Sequence, residues 1–244
     1  MKCNPAKKKS HAVLDLPSRH LKALKIERLL ELRTFRQPMD VLEIGTGSGG
    51  IAHYFAAHQR LACKVTAVDI SDQRLVKGGY DFIEVKSVML PFKDRAFDVV
   101  ITNHVIEHVG VEAEQRNHLN EVRRVMRPTG VGYLAVPNRW MLIEPHYRLI
   151  FLSWLPPAWR TLYLRIMKRG NEYDCNPLSL SKIEEMLKDA RFLYKSLSTC
   201  ALRETLRIEG SKGLFDVFGN ALPDAMLNFL TPINPTLIYK LSRE

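Results

Sequence analysis

Apolar residues follow two different spacings along this 244-residue chain. Residues 18–36 carry leucine and isoleucine at helical intervals and are followed by Pro38, which predicts an amphipathic helix. From residue 41 onward, short runs of branched apolar residues alternate with helical stretches. Strands are predicted at 41–44, 64–68, 82–85, 97–101, 131–136, 192–197 and 236–241. Helices are predicted at 51–58, 71–77, 112–126 and 181–190, the last opened by a capping box at Ser181, and 205–230 is ambiguous, with a broken helix favoured.

Strands that alternate with helices predict a parallel sheet with right-handed crossovers and helices on both faces. In such sheets ligands bind at the carboxyl ends of the strands. Polar residues stand at or just after four of the predicted strand ends, namely Glu43, Asp69, Lys86 and Asn103. The sequence therefore predicts a ligand site at this edge of the sheet.

Residues 139–170 interrupt the alternation with a segment rich in Trp, Leu, Tyr and Pro. Within it Trp159, Leu162, Tyr163 and Ile166 follow helical spacing, with arginine and lysine among them. We favour a lid helix buried against the core. An anionic membrane surface or a lipid-linked substrate is the alternative partner for this stripe. The chain is otherwise expected to be a flexible basic tail at 1–17 and a single domain at 18–244.

Composition narrows the class of protein. Hydrophobic residues make up 46% and charged residues 25%, as in an ordinary globular chain. The formal charge of +10 favours anionic partners: nucleic acid, membrane surfaces or small anions. The four cysteines include no Cys-x-x-Cys pair, and neither a signal peptide nor a membrane span is recognisable. We expect a cytoplasmic protein, with peripheral membrane contact through 139–170 left open.

The strongest chemical signal is the glycine-rich segment 43–50, which follows a predicted strand and precedes a helix. Glycine permits positive φ and lets a ligand approach the bare backbone. Asp69, at the end of the next strand, is suited to accept hydrogen bonds from ribose hydroxyls. The glycines fit both a dinucleotide motif and the motif E-x-G-x-G-x-G. Glu43 favours the second, because a carboxylate suits a ligand ammonium group and would repel a pyrophosphate.

Three later segments strengthen this interpretation: MLPFKDRAFDVV at 89–100, HVIEHV at 104–109 and EVRRVMRPTG at 121–130. Together with the glycine segment, they make the chain resemble class I S-adenosylmethionine-dependent methyltransferases of the small-molecule type over about residues 41–138. The resemblance implies a Rossmann-like α/β fold with a seven-stranded mixed sheet. The implied strand order is 3-2-1-4-5-7-6, with the last strand antiparallel.

The resemblance also implies roles for particular residues. The methionine end of S-adenosylmethionine would be held by Glu43, Gly45, Thr46, Gly47 and Gly49. Asp69 would bind the ribose and Ile70 the adenine, while Asn103 and His104 would lie beneath the sulfonium. Lys86 departs from the family, which often has an adenine-binding Asp there, because lysine cannot accept a hydrogen bond. Ser87, Val88 or backbone groups would then bind the adenine.

Methyl transfer to a hydroxyl group requires in-line alignment and removal of a proton, for which histidine is well suited. The candidate catalytic residues are His104, His146 and Glu144, and His108 is expected to be structural. Two histidines around Glu107 raise the question of a metal. A His-x-x-Glu-His site needs a long regular helix and a further ligand, so no metal is predicted.

The sequence thus predicts an enzyme that methylates a small-molecule or lipid-linked acceptor, at an oxygen atom. Three other classes stay open. The net charge suggests an RNA or other nucleic-acid methyltransferase, although residues 102–105 lack the Asn-Pro-Pro-aromatic motif and the basic residues are dispersed. A nicotinamide-dependent oxidoreductase fits the glycines but not Glu43. A non-catalytic S-adenosylmethionine-binding protein is the third. The acceptor and the oligomeric state are not readable.

Overall fold

The structure, a computed structural model, describes residues 15–144, 146–209 and 222–244. Its first half contains α1 (Leu16–Leu30), β1 (Met39–Ile44), α2 (Gly50–Ala56), β2 (Cys63–Asp69), β3 (Asp81–Glu84), β4 (Phe97–Asn103), α3 (Glu112–Val125) and β5 (Met126–Pro137). Its second half contains β6 (Ile143–Glu144), β7 (Leu149–Ile150), α4 (Pro157–Ile166), α5 (Leu180–Asp189), β8 (Phe192–Ser196), α6 (Ser198–Glu209), α7 (Asp224–Phe229) and β9 (Thr236–Arg243). The basic tail predicted at 1–17 lies outside the described residues up to residue 14, and α1 already begins at Leu16.

Seven strands form one sheet in the order β3-β2-β1-β4-β5-β9-β8. The first five pair in parallel, and β9 is antiparallel to both β5 and β8. Counting β8 and β9 as the sixth and seventh strands of this sheet gives the order 3-2-1-4-5-7-6. The predicted fold class and strand order are therefore confirmed. The remaining strands, β6 and β7, form a separate two-stranded ribbon.

Two hydrophobic clusters cover the two faces of the sheet. On one face, α1, α2 and α6 pack residues such as Ile26, Phe55 and Ala201 against the strands. On the other, α3 and α5 contribute residues such as Leu119 and Ile183. In β1 the neighbouring residues Val41 and Leu42 belong to opposite clusters, because successive side chains of a strand point to opposite faces. A strand buried on both faces explains the continuous apolar runs in the sequence.

Three local predictions are wrong. Residues 71–77 form no helix, because the backbone N–H of Leu75 donates to Ser48 O at 2.9 Å and the segment lies against the glycine loop. The cap of α5 is Ser179, whose Oγ accepts from the Lys182 N–H, and not Ser181. The strand predicted at 131–136 begins earlier, because residues 126–130 already belong to β5.

The segment 205–230 is described only in part. α6 ends at Glu209 and α7 begins at Asp224, and residues 210–221 lie outside the described residues. Over the described ranges, no helix combines the length and the apolar character needed to cross a bilayer.

The insert 139–170 contains the ribbon and α4, and its apolar stripe faces outward. Trp159, Leu162 and Ile166 are 64%, 55% and 66% exposed, whereas Arg160 and Leu164 are buried. Arg160 is tolerated inside because its guanidinium donates to Leu155 O at 2.8 Å and to Ser153 O at 3.1 Å. The prediction that this stripe is buried as a lid helix is therefore wrong, since helical spacing identifies a face but not what covers it.

Candidate functional site

The glycine segment forms a tight loop between β1 and α2. Gly45 and Gly49 have φ of +76° and +80°. A Cβ on Gly45 would lie 2.4 Å from Val105 Cγ2, and one on Gly49 would lie 2.2 Å from Tyr80 Oη. Both the backbone conformation and the available space therefore require glycine at these two positions. The loop presents bare backbone at the carboxyl end of β1, as the sequence predicted.

Glu43 lies inside this loop and is buried. Its Oε2 accepts hydrogen bonds from Thr46 Oγ1 at 2.7 Å and from the Ala52 N–H at 3.0 Å. Burial raises the pKa of Glu43 to about 8, because a charged carboxylate loses its hydration there. Both hydrogen bonds reach the same oxygen, so the carboxyl group organises the loop through Oε2 alone.

Asp69 joins the end of β2 to the glycine loop. Its Oδ2 accepts from the Gly47 N–H at 2.9 Å and its Oδ1 from the Ile70 N–H at 2.7 Å. Ile70 is exposed beyond it. Of the residues expected to bind adenine, Ser87 makes only a local hydrogen bond, accepting from the Met89 N–H at 3.3 Å. Glu43, the loop and Asp69 are thus brought together, while adenine recognition by Ser87 and Val88 stays a prediction.

Helix α1 covers the loop, which the sequence reasoning missed. A Cβ on Gly50 would lie 2.7 Å from Arg19 Cβ, so α1 packs directly on the start of α2. Burial lowers the pKa of Arg19, partly offset by the charge of Glu43. On the next turn of α1, the charge of Lys22 helps to lower the pKa of His104. No motif marks these positions, because their role depends on how α1 docks.

A short 3₁₀ turn, Ile106–His108, follows β4 and arranges two histidines around one carboxylate. Glu107 is fully buried, with its Oε1 3.5 Å from His104 Nδ1 and 3.8 Å from His108 Nε2. Burial is the main cause that lowers the pKa of His104. The pKa of Glu107 is lowered despite its burial, because the two histidines favour its charged form. His104 precedes this turn and His108 ends it, so the two histidines do not lie on a common α-helix.

The insert reaches the same region through its ribbon. Glu144, at the end of β6, is buried and its Oε1 lies 2.7 Å from His146 Nδ1. This hydrogen bond raises the pKa of His146. The His146 ring stands 5.8 Å from that of His108, edge to face. The structure therefore assembles His104, Glu144 and His146, which come from two distant segments, around the turn after β4.

Two neighbours of this cluster were not among the predicted site residues. Cys175 is buried, with its Sγ 3.8 Å from His108 Nδ1 and 3.8 Å from Asp174 Oδ1. The sequence offered no Cys-x-x-Cys spacing to find it. Its only signal was a cysteine beside an aspartate, which is not informative without the fold.

The residues present fit the adenosyl cofactor that the sequence resemblance implied. The loop from Gly45 to Gly49 stays a tight turn of bare backbone, because Val105 and Tyr80 leave no room for a Cβ at either glycine. Asp69 brings an acceptor carboxylate to the same strand edge, one strand away, where a ribose needs it. The neighbouring strand β4 ends at Asn103, which is buried. His104 follows it with a φ of +57°.

Comparison with known proteins agrees with this geometry. Residues 42–134 match the family model described as methyltransferase domain. A ribosomal protein L11 methyltransferase of Lactobacillus delbrueckii is 33% identical over 115 residues, covering 43% of this chain and 36% of that protein. A probable S-adenosylmethionine-dependent methyltransferase of Mycobacterium tuberculosis is 35% identical over 105 residues, covering 41% and 36%.

Among solved structures, an S-adenosylmethionine-dependent methyltransferase of Methanosarcina mazei superimposes with a TM-score of 0.52 at 19% identity, covering 86% of this chain and 94% of that one. This likeness supports the fold. The chain matches about a third of the length of the two sequence relatives, 36% of each. The residues matched by the family model include the glycine loop and Asp69 but not the insert.

Proposed function

Because the chain contains a class I S-adenosylmethionine-dependent methyltransferase domain, we propose that it transfers a methyl group to an oxygen of a lipid-linked acceptor. The proposal rests on one observation. The insert carries an exposed apolar surface, and the same ribbon directs Glu144 inward to the histidine cluster.

The insert surface consists of exposed apolar side chains on the ribbon, the following 3₁₀ turn and α4. They are Leu142, Ile143, Ile150, Phe151, Trp154, Trp159, Leu162 and Ile166. Exposed basic residues stand among and beside them, at Arg148, Arg165, Lys168 and Arg169. Aromatic and aliphatic side chains flanked by arginine and lysine suit the boundary of an anionic membrane. Exposed apolar side chains gathered on elements that contact one another are typical of an interaction site.

The ribbon links this surface to the candidate site. In β6, Ile143 is exposed while its neighbour Glu144 is buried, because successive strand side chains point to opposite sides. A lipid headgroup held beside Ile143 would therefore lie next to Glu144, the residue whose carboxylate pairs with His146. This is the arrangement expected of an enzyme whose acceptor stays anchored in a membrane.

The reaction itself needs alignment and one proton transfer. When bound, S-adenosylmethionine supplies an electrophilic methyl group on its sulfonium. The glycine loop and Asp69 would fix its orientation, which is worth several kcal/mol in such displacements. His104 would take the proton of the acceptor hydroxyl, because burial lowers its pKa and keeps the ring neutral. Glu107, 3.5 Å from His104 Nδ1, would stabilise the imidazolium that results.

Protein and RNA acceptors are the alternatives that an experiment must separate. One relative is named for a ribosomal protein, but its match spans only 43% of this chain. The family model matches residues 42–134 and not the insert. The formal charge of +10 is compatible with nucleic acid as well as anionic lipid. We therefore infer the acceptor class from the insert, which lies outside the residues that the family model matches.

Two measurements test the proposal. Isotopically labelled S-adenosylmethionine is incubated with the full chain and separate lipid, RNA and protein fractions, and label is expected in lipid. Flotation with phosphatidylglycerol vesicles should retain the wild type and lose Trp159→Ser/Ile166→Ser. Phe229→Ser, at an 84% exposed apolar position outside the insert, is the matched control and should still float. Label confined to RNA or protein, or equal flotation of all three proteins, would overturn the proposal.

A further inference from the structure

A second chemical cluster surrounds Cys175, at the junction between the insert and the sheet. The ligand atoms of His108, Asp174 and Cys175 all lie within 4.8 Å of one another, and so do those of Glu144, His146 and Cys175. Cys175 is common to both groups and only 3% exposed. The nitrogen, sulfur and carboxylate oxygen atoms grouped around this buried thiol are the ligand types that Zn²⁺ selects.

The distances suit such an ion. With Zn–S near 2.3 Å and Zn–N near 2.0–2.1 Å, a tetrahedral site separates its sulfur and nitrogen ligands by roughly 3.6 Å. His108 Nδ1 lies 3.8 Å from Cys175 Sγ, and Asp174 Oδ1 is also 3.8 Å from that sulfur. Only small side-chain shifts would be needed for these three groups to bind one ion.

Glu107 supplies an independent indication. It is 0% exposed, and neither carboxylate oxygen makes a well-formed hydrogen bond, although Oε1 also lies 3.5 Å from His104 Nδ1. Its Oε1 faces His108 Nε2 at 3.8 Å, the ring nitrogen opposite the one that faces Cys175. Metal-binding histidines commonly donate their second N–H to a carboxylate, which fixes the tautomer. Glu144 Oε1 lies 2.7 Å from His146 Nδ1 and would fix the orientation of that ring.

The backbone already holds the cluster together. The Asn176 N–H donates to Glu107 O at 2.8 Å, and Asn176 Nδ2 donates to Gly110 O at 3.1 Å. Gln115 Nε2 donates to both Ile106 O and Asn176 O. His108 and Cys175, 67 residues apart in sequence, are thereby fixed beside each other. A preformed arrangement of this kind lowers the entropic cost of binding an ion.

We propose that Cys175, His108, Asp174 and His146 bind one Zn²⁺ ion, with Glu107 and Glu144 orienting the two histidines. Four protein ligands leave no open position, so the ion is structural and fastens the insert to the sheet. His104 remains the acceptor-side base. The expectation of no metal considered only ligands within one helix. This site instead draws on three separate segments, and it does not depend on the nature of the acceptor.

Metal content and spectroscopy of the full chain test the site directly. After dialysis against ZnSO₄ and then buffer, the wild type should retain about one zinc ion per chain by elemental analysis. X-ray absorption should show one sulfur among nitrogen and oxygen ligands. Replacement by Co²⁺ should give a thiolate-to-cobalt absorption band. A folded wild type that retains no zinc and gives no band would overturn the proposal.

Variants assign the ligands. Cys175→Ser should abolish the cobalt band, while Cys200→Ser, an exposed cysteine outside the cluster, should retain it. Glu107→Gln should keep the band but weaken zinc affinity by about 10–100-fold, as expected for a partner of a ligand. If Cys175→Ser does not fold, the assignment is tested instead by His108→Asn, which should weaken zinc binding, and by the wild-type X-ray absorption spectrum. A band that survives Cys175→Ser, or disappears in Cys200→Ser, would contradict the assignment.

Discussion

Asp69 Oδ2 accepts a hydrogen bond at 2.9 Å from the backbone N–H of Gly47, 22 residues earlier in the chain. The bond ties the end of β2 to the loop after β1, so one carboxylate both shapes the loop and stands ready for a ribose. Its other oxygen accepts from the Ile70 N–H at 2.7 Å. Cofactor binding and loop geometry should therefore change together when Asp69 is altered.

Asp69→Ala is expected to abolish the stabilisation that S-adenosylhomocysteine gives the wild type. A ligand at 100 times its dissociation constant adds about 2.7 kcal/mol to the free energy of unfolding, which thermal denaturation detects easily. The ligand-free variant should itself lose about 1.5–3 kcal/mol, because two backbone N–H groups lose their carboxylate acceptor. Asp81→Asn, exposed at the start of β3, is the control and should respond to ligand like the wild type. An unchanged shift in Asp69→Ala would rule out the proposed ribose contact.

Gly49→Ala should destabilise the protein and block cofactor binding. The residue has φ of +80°, and an added Cβ would meet Tyr80 Oη at 2.2 Å and the backbone oxygen of Val76 at 2.5 Å. Strained backbone of this type costs about 1–3 kcal/mol before the collision is counted. Urea denaturation should show at least this loss.

Gly78→Ala is the matched control, because nothing lies within 4 Å of a Cβ there. Its free energy of unfolding should stay within about 0.5 kcal/mol of the wild type. Adding Tyr80→Phe to Gly49→Ala should recover stability only in part, since the Val76 oxygen remains. Full recovery would mean that the Tyr80 hydroxyl alone sets the requirement for glycine.

Glu43 should make the ligand-free protein less stable as pH rises. Its pKa in the folded state is about 8, above its ordinary value of 4.5. Below pH 4.5 both folded and unfolded chains hold the proton, and the full stability is present. Between pH 4.5 and 8 the unfolded chain releases the proton while the folded chain keeps it, so stability falls as pH rises.

Glu43→Gln removes this titration, and urea denaturation across that range measures the difference. The free energy of unfolding of the wild type should decline relative to the variant as pH increases. A bound ligand ammonium group beside Glu43 would favour the ionised carboxylate and flatten the decline. A difference that grows in favour of the wild type with pH would show that the carboxyl group is ionised throughout.

Arg124 should be a stabilising link between α3 and the segment before β4. Its guanidinium donates to Leu90 O at 2.9 Å and Phe92 O at 2.7 Å, and it pairs with Glu121 and Asp94. Glu121 in turn accepts from the Leu90 N–H at 2.8 Å. This network gives a physical reason for the co-occurrence of the Leu-Pro-Phe and Glu-x-x-Arg segments.

Arg124→Met is expected to cost about 1.5–3 kcal/mol, the range for hydrogen bonds to a charged group. Arg124→Lys should recover little, because an ammonium cannot reproduce the planar fork. Arg123→Met is the control, since Arg123 Nε donates only to Arg191 O at 3.2 Å. Equal losses in Arg123→Met and Arg124→Met would show that charge or helix packing, not this network, is responsible.

The local part of the site could be predicted from the sequence because its members are close along the chain. Glu43 and Thr46 are three residues apart and hydrogen-bonded. Asp69 lies one strand away, and parallel strands bring their carboxyl ends to one edge. The central strands could be predicted because each is a run of apolar residues that is buried on both faces of the sheet. The strand order followed from the family resemblance, since periodicity does not state which strands are neighbours.

Other features were decided only by long-range packing. Residues 71–77 had helical character, yet the Leu75 N–H bonds to Ser48 O and the segment stays irregular. The stripe at Trp159 and Ile166 was recognised, but its exposure depends on α4 turning Arg160 and Leu164 inward. Arg19 reaches the loop only because α1 docks on α2.

The chain by itself thus determined the strands, the glycine loop and the acids at the strand ends, because hydrogen bonding and apolar periodicity act over a few residues. Only the tertiary structure brought Cys175 to His108 across 67 residues, and His146 to the same place. Contacts of that length depend on how helices and loops pack on the finished sheet. No local pattern records that packing. This is the physical reason why the sequence could name His104, Glu144 and His146 as candidates, while only the fold showed how they assemble with His108 and Cys175.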